Sequence, residues 1–187
     1  MAGGDADVSP TRRIFLDTEF TDLPWTGRSR LLWVGLAAED GTSWSALDAE
    51  AAADDCVSPF VRTAVLPHIR PEEPRLRRDE LRRAIINFCG SPDEFWAWCP
   101  TPDDLVSLDA PTGAEPLHAR LWDWDFQLLR KVVDPWPDAW PTSLCDLQAL
   151  AARTGVALPE NPSAHHPRHD ALWNLRVYEL AASGGGG

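Results

Sequence analysis

Two carboxylates near the N-terminus have the spacing of a chemical site. Asp17 and Glu19 follow an apolar run in the segment Ile-Phe-Leu-Asp-Thr-Glu at 14–19. Side chains two residues apart on a strand point to the same face. Two acids that a buried strand directs at one point repel each other unless a cation lies between them. The spacing therefore predicts half of a divalent-metal site.

A third acid lies in the middle of the chain. Asp125 stands four residues after Leu121 and three before Leu128, on the apolar stripe of a helix predicted over 117–133. A carboxylate on a core-facing stripe needs a partner or a metal. The alternative is that Asp125 caps a neighbouring loop or lies at the edge of the stripe. Asp123 is expected to face solvent.

The C-terminal third adds a histidine and a fourth acid. Three of the five histidines lie within 165–169. Pro167 is typical of a helix's first turn, so Asp170 is expected near the N-terminus of a helix spanning about 168–182. His165 would lie just before that helix, within reach of a bound water. On its own, a His-x4-Asp spacing is more typical of a surface histidine and an exposed acid.

Taken in order, these segments resemble the DEDDh 3′–5′ exonucleases, ribonuclease-H-like relatives of proofreading exonucleases, ribonuclease T and oligoribonuclease. The resemblance rests on Phe-Leu-Asp-Thr-Glu-Phe-Thr at 15–21, a mid-chain aspartate on a helix, and His-x4-Asp-Ala at 165–171. It covers about 13–182. The ordered set is much more specific than any single motif.

The resemblance implies a site, its cofactors and a substrate. Two Mg²⁺ or Mn²⁺ ions would be held by four carboxylates, and a histidine would be the general base: Asp17, Glu19, Asp125, Asp170 and His165. In such a scheme the two ions stabilise the attacking and leaving oxygens of an in-line displacement. The implied substrate is the 3′ end of single-stranded RNA or DNA, RNA preferred, with 5′-nucleoside monophosphates as products. A homodimer is a further family expectation.

The sequence departs from the family pattern in two places. A long loop precedes the mid-chain motif, so Asp103 or Asp104 competes with Asp125 for its role. The last motif also has two registers, because His169 is followed by Asn174 at the acid's place. The His165 and Asp170 register supplies a complete acid set and is favoured. The other register would replace a ligand by an amide and give an inactive site.

The hydrophobic pattern predicts an α/β fold of three layers. Strands are expected at 14–20, 31–37, 42–47 and 94–99, the second and third forming a hairpin across Glu39-Asp-Gly41. Helices are expected at 57–66, 76–89, 117–133, 144–154 and 168–182, with a loop at 100–116. This order predicts a mixed sheet, with an antiparallel hairpin and parallel strands, flanked by helices in a ribonuclease-H-like arrangement.

Length and composition limit the class of protein. The chain of 187 residues, 44% hydrophobic and 25% charged, suits one domain at 13–182 between a disordered arm at 1–12 and a flexible tail at 183–187. It lacks an apolar run long enough to cross a bilayer and a signal-peptide pattern, so we expect a cytoplasmic protein without a membrane partner. Four scattered cysteines without a Cys-x-x-Cys pair predict free thiols rather than a zinc cluster.

Charge patterning gives an additional hint about partners. A net charge of −12 argues against a broad nucleic-acid platform, but not against an enzyme that holds a strand end through metal ions. Seven arginines lie within 62–83, where they either contact phosphates or form a solvated face. Ten tryptophans offer surfaces for base stacking, and Trp25 is the best placed in sequence.

Two other functions remain open from the sequence. The Asn174 register favours a catalytically degenerate binding module on the same fold. The Asp-x-Glu and His-x4-Asp spacings are also compatible with an unrelated metal-dependent phosphohydrolase that acts on free nucleotides.

Overall fold

The computed structural model describes residues 11–51, 58–101 and 121–184, which form an α/β arrangement of one mixed sheet flanked by helices. The six strands of the described part are β1 (Arg13–Phe20), β2 (Leu31–Ala38), β3 (Ser43–Asp48), β4 (Arg75–Leu76), β5 (Glu94–Ala97) and β6 (Leu144–Asp146). The α-helices of these residues are α1 (Arg78–Cys89), α2 (Trp124–Val132), α3 (Leu147–Thr154) and α4 (Pro167–Gly184).

Strand β1 lies inside the sheet, whose order is β4-β3-β2-β1-β5-β6. It pairs antiparallel with β2 and parallel with β5. Strands β2 and β3 form the predicted antiparallel hairpin, while β4 and β6 add parallel edges. The predicted mixture of antiparallel and parallel pairing is confirmed.

The two faces of β1 meet different helices. Ile14 and Leu16 belong to a buried cluster with α1 and α2, whereas Phe15 packs with Ala171 and Leu175 of α4. Side chains alternate along a strand, so Asp17 and Glu19 continue the Phe15 series and face α4. Both acids of β1 therefore lie on the face of the sheet over which α4 begins.

Two short strands were missed because the sequence pattern favoured helix. The helix predicted from Leu76 begins at Arg78, and Leu76 instead pairs with Asp48 in β4. The helix predicted over 144–154 begins at Leu147, because its first three residues form β6 beside β5. Strands of two or three residues are too short to show a two-residue period.

Several element boundaries also differ. The strand expected over 94–99 ends at Ala97, and the helix expected over 57–66 is a π-helical turn at Val61–Val65 followed by a 3₁₀ turn at Leu66–His68. Pro67 therefore lies inside a helical turn rather than after it. The loop expected over 100–116, and 117–120 of the predicted helix, lie outside the described residues apart from 100 and 101.

The chain ends are held more firmly than predicted where they can be described. The Arg12 amide donates to Asp93 at 2.7 Å and its guanidinium to the Cys89 carbonyl at 2.7 Å, so residue 12 is not part of a disordered arm. Ser183 and Gly184 complete α4. The remainder of the arm, 1–10, and of the tail, 185–187, lies outside the described residues.

In the described part, Cys89 and Cys99 are buried free thiols and Cys145 is half-buried, as the spacing predicted. Cys56 lies outside that part. None of the helices that the structure describes combines the length and apolar character needed to cross a bilayer.

Candidate metal centre

Three carboxylates from two distant segments converge at the carboxyl end of β1. One oxygen from each of Asp17, Glu19 and Asp170 lies within 4.8 Å of the others. Glu19 is buried, with 4% of its surface exposed, while the other two are half-buried. Their oxygens are the hard ligands that Mg²⁺ and Mn²⁺ prefer. The arrangement is suited to holding a divalent cation.

Gly35 determines how closely Asp170 approaches β1. It pairs directly with Asp17 across the β1–β2 ladder. A Cβ atom built on Gly35 would lie 2.0 Å from the Pro167 carbonyl carbon and 2.3 Å from the Arg168 amide nitrogen. Both are backbone atoms of the first turn of α4, so no side-chain rotation relieves the collision. The missing side chain lets α4 begin directly over the sheet beside Asp17.

His165 links α4 to the acids through its backbone and its side chain. Its φ of 69° is left-handed, an uncommon conformation for histidine, and its amide donates to Asp170 Oδ2 at 2.8 Å. The imidazole Nδ1 lies 3.7 Å from Glu19 Oε1, and 41% of the side chain is exposed. The ring therefore stands beside the acids while remaining open to solvent.

Asp125 approaches the same place from α2. The pairs between β1 and β5 end at Phe15, and beyond them the Thr18 amide donates to Asp125 Oδ1 at 3.2 Å. The Thr18 hydroxyl donates to the same oxygen. Asp125 lines the cavity that contains the other acids, but it is not one of the three whose oxygens lie within mutual reach. Asp125 therefore lies at the edge of the acid cluster.

Mutual repulsion and burial make the ionised cluster unfavourable by itself. Burial, with repulsion from Asp170, Asp125 and Glu19, raises the pKa of Asp17 well above its usual value. Burial also raises the pKa of Glu19 and Asp170, although His165 stabilises both carboxylates. A cation would remove this cost, which is the electrostatic signature expected of a metal centre.

The pKa values of Asp125 and His165 are raised for different reasons. Burial raises the pKa of Asp125 to about 7, against the opposing effect of its Thr18 hydrogen bonds. The Glu19 carboxylate raises the pKa of His165 by stabilising the imidazolium. Asp125 is therefore positioned to change protonation close to neutral pH, while His165 holds its proton more readily than a free imidazole.

The acids line a cavity of about 390 Å³ whose wall is partly aromatic. Trp98 and Trp173 meet edge to face with ring centroids 5.1 Å apart, and Phe60 meets His165 at 5.2 Å. Trp98 is half-buried: it packs against the buried cluster of Leu147, Ala151 and Val177 and also lines the cavity wall. Trp25, the expected stacking residue, lies half-buried in a 3₁₀ turn at Pro24–Thr26 and is absent from the described wall.

The structure separates the two registers of the last motif. His165 and Asp170 lie with the acids, whereas His169 lines a different cavity. Asn174 also lines the acid cavity, but it is buried and its side-chain amide donates to the Leu16 carbonyl at 3.0 Å. The geometry therefore groups His165 and Asp170 with the β1 acids.

The competing mid-chain acids have different positions. Asp103 and Asp104 lie outside the described residues. Asp123, which was expected to face solvent, is half-buried and directly precedes α2. Its carboxylate accepts a hydrogen bond from the Gln127 side-chain amide at 2.6 Å. Of the described candidates, Asp125 is the one that lines the acid cavity.

Three contributors to the site were missed from the sequence. Gly35, an isolated glycine in an apolar strand, could have been recognised as a point of close backbone approach. Thr18 could not, because its role depends on where β5 ends. Asn161 donates to Asp170 Oδ1 at 2.5 Å, and no local pattern indicated that contact.

Comparisons with known proteins give no family for this chain. No protein-family model matches it, and no curated protein matches it. Its function must therefore be argued from the geometry of the site.

Proposed function

We propose that this chain is a metal-dependent 3′–5′ exonuclease that releases 5′-nucleoside monophosphates from single-stranded nucleic acid, RNA preferred, on a ribonuclease-H-like fold. The observation that supports this most directly is the convergence of Asp17, Glu19 and Asp170 within 4.8 Å. The family resemblance of the sequence and the six-stranded mixed sheet are in accord with it.

The donor set fits Mg²⁺ or Mn²⁺ better than a softer metal. All the converging ligand atoms are carboxylate oxygens, and burial with mutual repulsion raises the pKa of Asp17, a cost that a bound cation would offset. Asp17, Glu19 and Asp170 would hold the first ion, and Asp125 with Asp17 the second. Bound there, the ions would supply positive charge against the scissile phosphate and leaving oxygen.

His165 would accept the proton of the attacking water. Its imidazole is exposed on one side and held beside Glu19 on the other, which suits a group that must receive a proton and release it to solvent. Asp170 holds the His165 backbone amide, so the same carboxylate orients the base and would bind a cation. The left-handed backbone conformation at His165 lets its amide contact Asp170 while its imidazole lies beside Glu19.

The aromatic wall would hold the terminal base. Trp98 and Trp173 lie beside the acids, and stacking on such rings contributes about 1–3 kcal/mol per base without selecting sequence. The cavity would thus receive a strand end rather than the middle of a duplex.

Direct degradation assays test this function. RNA and DNA oligonucleotides labelled at their 5′ ends should each be followed with Mg²⁺ or Mn²⁺ present. We expect a ladder of progressively shorter labelled products, faster on RNA, that Asp17→Asn abolishes and Asp138→Asn retains, since Asp138 is exposed and distant in sequence from the cluster. Folded protein that shortens neither substrate would contradict the proposal, and hydrolysis of free nucleotides alone would favour a nucleotide phosphohydrolase.

A further inference from the structure

A second cavity, of about 440 Å³, lies on the other side of the segment that carries His165. His165 lines the acid cavity, while its neighbour His166 lines the second one. The two cavities therefore adjoin consecutive residues of one segment. We call the second one the basic cavity.

The basic cavity exists because small polar residues of β3 lie beside the start of α4. Ser43 and Ser45 pair with Ala37 and Gly35, and they line the cavity next to Arg168. Large apolar residues at these positions would have filled the space under α4. The polar floor leaves space that water or a polar ligand can occupy.

Two arginines at this cavity have no ion-pair partner in the part of the chain that the structure describes. Arg70 and Arg168 are exposed and line its rim. Other arginines of the same arginine-rich stretch are engaged, as Arg78 is with Asp48 and Arg82 with the Pro135 carbonyl. The planar guanidinium of an unpaired arginine can donate two parallel hydrogen bonds to one phosphate group.

Two glutamates also line this cavity, but neither forms an ion pair with its arginines among the described residues. Glu73 accepts from the Ser45 hydroxyl at 3.1 Å and lies 3.3 Å from His166 Nε2, so its carboxylate is already engaged. Glu72 is exposed at the rim and can turn to solvent. His166 has 8% of its surface exposed, and its buried Nδ1 has no hydrogen-bond partner among the described residues. The wall therefore retains two arginines that no carboxylate of the described residues pairs with.

We propose that the basic cavity binds a backbone phosphate of the nucleic-acid strand whose 3′ end lies at the acids, with Arg70 and Arg168 as its ligands. The proposal rests on the proposed function, because it requires a strand that enters the neighbouring cavity. The protein's net charge of −12 would repel a strand from most of its surface, so a local pair of arginines would select the path of the strand.

Equilibrium binding tests this subsite without requiring turnover. The probe is a 5′-fluorescein single-stranded RNA of about ten nucleotides with phosphorothioate linkages at its 3′ end, followed by anisotropy in Mg²⁺ at several salt concentrations. We expect Arg70→Ala/Arg168→Ala to raise Kd about tenfold. Loss of one phosphate contact should also make the slope of log Kd against log salt shallower by about 0.7.

A matched double variant removes the same charge elsewhere. Arg83 on α1 and Arg153 on α3 are exposed, and neither lines the basic cavity. Arg83→Ala/Arg153→Ala should therefore bind the RNA like the wild type. Thermal melting of both double variants checks that each is folded, which is expected because all four side chains are at the surface.

The possible outcomes separate the two proposals. Equal Kd values for the two double variants would overturn the phosphate subsite even if the enzyme degrades RNA. A tenfold loss confined to the cavity variant, in a protein that never cleaves RNA, would support the subsite and contradict the exonuclease. A wild type that binds no single-stranded RNA would overturn both.

Discussion

The acid cavity and the basic cavity adjoin one loop but differ in the charged groups that line them. On one side, Asp17, Glu19 and Asp170 repel one another, and burial raises their pKa values. On the other side, Arg70 and Arg168 stand without ion-pair partners among the described residues. His165 and His166 are consecutive, yet each faces a different cavity.

In the proposed function, this difference would allow a strongly acidic protein to bind a polyanion. No lysine or arginine of the described residues lines the acid cavity, so metal ions would supply positive charge there, whereas Arg70 and Arg168 line the basic cavity. Each would then contact a different phosphate of one strand. The comparison can be tested by substitutions in the acid cavity, in the shared loop, or at the sheet residue that sets how closely α4 approaches β1.

The largest expected effect comes from Asp17, the acid at the centre of the cluster. Asp17→Asn should lower kcat on RNA by about 10³-fold or more, because it removes a ligand on which metal-ion catalysis depends. Steady-state degradation of labelled RNA measures this, with Asp138→Asn as the control. Activity in Asp17→Asn within tenfold of the wild type would show that the acid cavity is not catalytic.

The same variant should have the opposite effect on stability. Replacing a buried carboxylate of raised pKa by a neutral amide removes repulsion, so Asp17→Asn should melt a few degrees higher than the wild type in EDTA. Mn²⁺ should raise the melting temperature of the wild type but not that of the variant. A variant that melts lower in EDTA would contradict the repulsive cluster.

The next largest effect is expected from the shared loop. His165→Asn removes the proposed base while supplying a residue that tolerates the left-handed φ of 69°. We expect kcat to fall by about 10²- to 10⁴-fold with Mn²⁺ affinity retained. Calorimetric titration with Mn²⁺ beside the kinetic measurement separates the two quantities. An equal loss of both would make His165 a structural residue rather than a base.

A smaller effect is expected from the sheet. Gly35→Ala places a methyl group against the backbone of α4, which should cost about 1–3 kcal/mol and move Asp170 away from Asp17. Mn²⁺ affinity should then fall about tenfold in protein that is still folded by circular dichroism. Gly184→Ala, which meets nothing within 4 Å, is the matched control. Unchanged Mn²⁺ affinity in folded Gly35→Ala would refute this positioning role.

The last expected effect is a pH dependence of the metal-free protein. Burial raises the pKa of Asp125 to about 7, so between about pH 4 and pH 7 the folded state holds a proton that the unfolded state releases. The free energy of unfolding in EDTA should therefore decrease as pH rises through this window. Urea titrations at a series of pH values measure it. A stability that increases over the same window would contradict the raised pKa.

The parts of this structure that sequence could predict depend on local periodicity. The pairing of Asp17 with Glu19 on one face needs only the two-residue period of a strand, and the start of α4 needs only Pro167. The hairpin of β2 and β3 was likewise marked by its turn. These features follow from a few neighbouring residues.

The remainder depends on distant segments and could not be predicted locally. Thr18 holds Asp125 because β5 stops pairing at Phe15, a fact about another strand. The basic cavity brings Arg70 and Arg168 together from segments almost a hundred positions apart in the chain. Strands as short as β4 contain too few residues to show a period. Tertiary packing, rather than local preference, decides each of these.

The most direct measurement is anomalous diffraction from crystals of the protein grown or soaked with Mn²⁺. We predict a strong manganese peak bounded by carboxylate oxygens of Asp17, Glu19 and Asp170, with His165 still beside Glu19. Saturating Mn²⁺ that leaves no peak there, or that finds Asp17 turned away from Asp170, would contradict the metal centre and the exonuclease built on it.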